Sequence, residues 1–137
     1  MKFFIALILV LYTQMSFAID GGKPLENALE AYEAKGVDSF IPTLLKGSPL
    51  EGEKSVLTQS NSIRQIEDYY GSYQDYEVIY EKKLTERVRL VYYVMHYENS
   101  PLFGVITYYK KKGGEVVSNF NVHTKLWEIM PKNVVFQ

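Results

Sequence analysis

The forty residues RVRLVYYVMHYENSPLFGVITYYKKKGGEVVSNFNVHTKL, positions 87–126, decide the fold. They are dense in β-branched and aromatic residues, and turn chemistry interrupts them twice. Gly113-Gly114 is a two-residue hairpin signal, and Glu98-Asn99-Ser100-Pro101 marks a longer turn. Together with the similar run just upstream, the pattern predicts four strands over 74–83, 87–97, 102–112 and 115–126. Consecutive strands joined by short turns make an antiparallel meander.

Side-chain alternation then proposes a register. Pairing Lys112 with Glu115 sets Val105 opposite Val122 and Thr107 opposite Phe120. Closing the preceding loop at Tyr97 and Leu102 sets Val94 opposite Val105, Tyr92 opposite Thr107 and Leu90 opposite Tyr109. These residues share a face with Val88, His96 and Phe103, and that face is expected to pack on helices. A three-residue loop over 84–86 adds Tyr76, Val78 and Tyr80 to it. A two-residue Thr85-Glu86 turn would bury Glu77 and Glu81 instead, at a cost on the order of several kcal/mol for unpaired carboxylates.

The opposite face carries Ile79, Val91, Tyr93, Met95, Ile106 and Tyr108. Charged and polar residues surround them, and Glu81 is expected to face Arg89 as a cross-strand ion pair. An apolar centre with a charged rim reads as a contact surface, so Val91, Tyr93, Met95, Ile106 and Tyr108 are expected at a two-fold homodimer interface. The alternative is that the segment 127–136 folds back over this patch within one chain.

Upstream of residue 71 the period is helical. Pro24 suits a first helical turn, Leu25, Ala28, Leu29 and Tyr32 follow 3.6-residue spacing, and Gly36 is the stop. Asp38 can cap a short second helix with Phe40, Ile41, Leu44 and Leu45 on its apolar side. A third helix is expected over 53–70, with Val56, Ile63, Ile66 and Tyr70 on one stripe and Gly71 as its end.

Residues 1–18 read as an address. Lys2 supplies a positive start, 3–12 is an apolar run, and Ser16-Phe17-Ala18 offers the small residues of a cleavage site. Cleavage after Ala18 is expected, leaving a single domain over 19–137 that is periplasmic or secreted and keeps no stable membrane anchor. With 15 basic against 16 acidic residues, nothing points to nucleic acid. The chain has no cysteine, which excludes disulfides, thiolate metal sites and a cysteine nucleophile. Twelve tyrosines suit sheet surfaces, pocket walls and interfaces.

Three helices followed by a long antiparallel meander resemble the NTF2-like α+β fold, also called cystatin-like in its broad sense. The likeness spans about residues 25–131. It rests on element order, on Phe40-Ile41 and Leu44-Leu45 before Gly47-Ser48-Pro49-Leu50, and on the ending Asn119-Phe120-Asn121-Val122-His123. The resemblance implies a strongly bent four-stranded sheet wrapped around the helices as a cone, and dimerisation through its convex side. It is nearest to small exported members with no assigned activity. A two-layer α/β sandwich with a flatter sheet is the alternative architecture.

No catalytic set emerges. There is no His-x-x-x-His, no acidic cluster at metal spacing and no Gly-rich phosphate loop, so neither metal nor cofactor is expected. Lys110-Lys111-Lys112 reads as a solvated hairpin tip. His96 is the candidate acid or base, at the end of the helix-facing row, whereas His123 is expected on the other face. Trp127 is expected to close one end of the sheet as a flap. Tyr76, Tyr92, His96, Phe103 and Trp127 are therefore the expected ligand contacts. Three functions follow: a non-enzymatic domain binding a small apolar or amphipathic ligand or a protein; an isomerase- or dehydratase-like enzyme using His96 with a carboxylate; and a structural module of the cell envelope. The position of His96 relative to a carboxylate and an enclosed cavity separates the first two.

Overall fold

The computed structural model describes residues 20–135. The expected leader and its cleavage site lie outside the described residues. Three helices, α1 (Lys23–Lys35), α2 (Phe40–Leu44) and α3 (Lys54–Tyr70), precede four strands. These are β1 (Tyr73–Lys83), β2 (Val88–Tyr97), β3 (Pro101–Lys111) and β4 (Gly114–His123), and α4 (Lys132–Val135) follows. The sheet order is β1-β2-β3-β4 with every neighbour antiparallel, the α+β meander expected from the sequence.

Local chemistry explains the helix ends. Pro24 occupies the first turn of α1, where its missing N–H costs nothing. Gly36, at φ +95°, turns the chain away and donates its N–H to the Tyr32 carbonyl. Leu25, Ala28, Leu29 and Tyr32 form the buried stripe of α1. Gly71 ends α3 at φ +85°; Ile63 is fully buried there, and Val56, Ile66 and Tyr70 pack partly against the core.

In β2 and β3 the row that meets the helices is the opposite of the one expected, whereas Tyr76 and Val78 of β1 and Phe120 and Val122 of β4 pack on the helix side as expected. Val91, Tyr93, Met95, Ile106 and Tyr108 are each fully buried in one cluster with α1, α2 and Ile63. The patch expected at a dimer interface is thus the floor of the core, covered by the helices of the same chain. In these two strands both rows are apolar, and the row turned away from the helices carries His96 and Thr107, which stay wetter there. Tyr92 and Val94 lie on that far face. They are nonetheless buried, as is Met130, and all three stand outside the helix-side cluster.

The turns differ too. The β2–β3 loop closes two residues earlier than expected, with the Tyr97 N–H bonded to the Ser100 carbonyl, so Val94 faces Phe103 and Tyr92 faces Val105. The β3–β4 turn pairs Lys111 with Gly114. The β1–β2 turn is wider than the expected three residues, with Lys83 opposite Arg89 and the Leu84 N–H bonded to the Val88 carbonyl. The Thr85 hydroxyl shapes it by accepting the N–H groups of Arg87 and Val88. Extra residues fall at Gln74 and Ile79 in β1 and at Ser118 in β4, whereas β2 and β3 pair without a shift. The bulge at Ser118 turns both Val117 and Phe120 to the helices.

Candidate functional site

Grooves open where the helices meet the sheet. Between α1 and β1 lies one of about 450 Å³, with Leu29, Tyr73 and Tyr76 as walls and the carboxylates of Glu26, Glu30, Glu33 and Asp75 around it. Burial, and then the nearby Glu26, pushes the Tyr76 phenol above its ordinary value. Beside this groove the aromatic rings interlock. The centroids of Tyr32 and Tyr73 are 4.9 Å apart, and those of Tyr73 and Tyr97 are 6.0 Å apart. The Tyr32 hydroxyl donates to Glu67 and lies 3.3 Å from that of Tyr97. Burial pushes Tyr97 up to about 12 and Tyr32 higher still, so both stay neutral hydrogen-bonding groups that tie α1, α3 and β2 together.

A second groove, of about 330 Å³, lies between α3 and the joined ends of β3 and β4. Helical spacing puts Ser62, Ile63, Ile66 and Tyr69 along one side of α3. Leu102, Val122, His123 and Thr124 complete the wall from the sheet. The groove has an apolar body, with Ser62, Gln65, Thr124 and the His123 ring as polar members of its lining. That combination is typical of a small-molecule site, and the volume sits at the lower end of the usual range of about 300–1,000 Å³. His123 is oriented by the Lys125 N–H, which donates to Nδ1 at 3.0 Å.

A third polar cluster holds the start of the described chain. Arg89 stacks 4.8 Å over the Tyr108 ring. Its Nε and Nη2 donate to Glu115 at 2.6 and 2.8 Å, and its Nη1 to Glu81 at 3.1 Å. The expected Glu81–Arg89 pair therefore exists, but on the helix side, half-buried and joined by Glu115. Tyr108 donates its hydroxyl to the Gly21 carbonyl at 2.8 Å. Gly22, at φ +91°, passes so close that a Cβ there would lie 2.8 Å from Arg89 and Tyr108. The whole assembly fastens residues 20–22 to the sheet.

The residues expected to contact ligand do not converge. Tyr76 lies in the α1–β1 groove on the helix side. Tyr92, His96 and Phe103 face away from the helices. Trp127 is 60% exposed and closes nothing; it is Met130, three residues on, that is buried. His96 Nε2 lies 2.8 Å from Glu77 Oε2, but on the face away from the helices with both side chains well exposed, and neither lines the grooves described above. The sequence gives little sign of the groove beside α3, because Ile63 and Ile66 read as core and the bend at Thr124, just after β4, falls inside the strand expected over 115–126. The chain matches no protein-family model, no curated protein and no solved structure.

Proposed function

We propose that this chain is an exported, non-enzymatic binding domain that takes a small apolar or amphipathic molecule between α3 and the ends of β3 and β4. The observation that carries the reading is the groove of about 330 Å³, whose body is made by Ile63, Ile66, Leu102 and Val122. The export reading rests on residues 1–18, and the cone-like curvature on the NTF2-like resemblance; both belong to the proposal. The test is a titration of the protein with cyclohexylmethanol, followed through the methyl resonances of Ile63, Ile66, Leu102 and Val122. Saturable shifts confined to these methyls, abolished by Ile66→Gln, support the reading. Shifts spread over the surface, or none up to millimolar probe, overturn it.

A further inference from the structure

Tyr93 has no exposed surface, and its hydroxyl has no hydrogen-bond partner among the described residues. Buried hydroxyls are almost always paired, because an unpaired one forfeits its bonds to water. The ring lies flat across β3. A Cβ built on Gly104 would come within 2.2 Å of Tyr93 Cζ and 2.5 Å of its hydroxyl oxygen. The phenol end therefore sits over Gly104, whose cross-strand partner is Val122 and whose same-face neighbour along β3 is Leu102. Both of these residues line the groove beside α3. The unpaired hydroxyl thus fills the space that Gly104 leaves, beside two of the residues that line the groove.

We infer that the Tyr93 hydroxyl is the polar anchor of this groove and that its ligand is an uncharged apolar molecule carrying one hydrogen-bonding oxygen. This rests on the groove being a binding site. The body of the ligand occupies the space between Ile66 and Leu102. Its oxygen reaches past Val122, which is only partly buried on the edge strand, and exchanges a hydrogen bond with Tyr93. The chemistry excludes a carboxylate. His123 is the only titratable group besides Tyr69 in the groove's lining, and no Lys or Arg is among those residues to offset the cost of desolvating an anion. Burial also pushes the Tyr93 phenol well up, so it remains a neutral donor and acceptor. An oxygen bonded there gives the buried hydroxyl a partner, so the preference over a hydrocarbon isostere is about fivefold or more.

The experiment compares cyclohexylmethanol with ethylcyclohexane, in which a methyl replaces the hydroxyl, on wild type and Tyr93→Phe. The groove methyls report affinity. The Tyr93 Cζ resonance of wild type reports hydrogen bonding independently of any variant. The inference predicts that the alcohol binds wild type at least about fivefold tighter than the hydrocarbon and moves Cζ, and that Tyr93→Phe brings the two within twofold. Tyr93→Phe removes a hydroxyl that bonds nothing, so its fold is retained. Equal binding of both probes to wild type leaves the groove standing and overturns the anchor. An alcohol preference that persists in Tyr93→Phe, or a Cζ that does not move, also overturns it. If neither probe shifts the groove methyls, the binding site itself is refuted and the anchor with it.

Discussion

Replacing Gly104 with alanine should destabilise the protein by about 2 kcal/mol or more, although alanine is the better strand residue by roughly 0.5–1 kcal/mol. The new methyl would arrive 2.2 Å from Tyr93 Cζ and 2.5 Å from both Cε1 and the hydroxyl oxygen. Ordinary contact begins near 3.4 Å, so the ring must retreat by about 1 Å in a close-packed interior. It has nowhere to go, because Tyr93 is fully buried beneath the helices. Overpacking of this kind costs about 1–3 kcal/mol and sometimes more, and a pinned aromatic belongs at the upper end. Urea denaturation of wild type, Gly104→Ala, Tyr93→Ala and the double variant measures it. Tyr93→Ala alone should lose about 3–5 kcal/mol, and in that background Gly104→Ala should turn neutral or stabilising. A single Gly104→Ala variant as stable as wild type would refute the flat packing of Tyr93 on β3. So would a penalty that survives unchanged in the Tyr93→Ala background.

Phe120→Ala should lose about 3–5 kcal/mol by denaturation, since the ring is 7% exposed within the helix-side core; a loss below about 1 kcal/mol would place it elsewhere. Arg89→Ala should lose about 2–3 kcal/mol, less than a fully buried pair would, because Glu81 and Glu115 remain about a third exposed and can hydrate. It should also speed amide exchange at residues 20–22, and unchanged exchange there would contradict the anchoring described. Asp20 is held below the ordinary carboxylate value chiefly by the Gly22 N–H, 2.7 Å from its Oδ1, while its hydrogen bond with Asp20 holds Glu26 above. A depressed folded value means that Asp20 contributes stability above its unfolded value of about 3.9, and that this is lost as pH falls through the folded value. Carboxyl NMR should therefore find Asp20 ionising before Glu26 as pH rises, and Asp20→Asn should flatten the acid limb of stability; the reverse order of ionisation would refute the pairing.

The element order was legible because glycine and proline punctuate it: Pro24, Gly36 and Gly71 fall where the helices start and stop. The strands were legible as β-branched and aromatic runs. Which face met the helices was not. In β2 both alternating rows are apolar, so period-two patterning carries little information there. Gly104 held the missing signal: a glycine in mid-strand marks a close approach, and here it marks the row where a tyrosine lies flat under helices. The bulge at Ser118 was equally hidden, since the stretch from Val116 to Val122 reads as plain alternation until one extra residue reverses it. The candidate groove joins a helix to strand ends distant in sequence, and neither partner is unusual alone. The Glu81–Arg89 pair survived a wrong register because long side chains reach diagonal partners as well as direct ones.

The placement of the bulges governs what the open sides of the sheet can recruit. Both outer strands present rows of backbone N–H and C=O groups of the kind that a foreign extended segment continues. In β1 the row is broken at Gln74 and Ile79, and in β4 at Ser118, so no uninterrupted run exceeds five residues. A typical added strand engages about five or six residues and needs a regular template, so intruders meet a frame that changes phase before they can zip. The middle pair, β2 and β3, is already satisfied on both sides and can remain regular. A tyrosine-rich sheet with no disulfide to brace it thereby carries its own defence against templated stacking, written into three single-residue insertions.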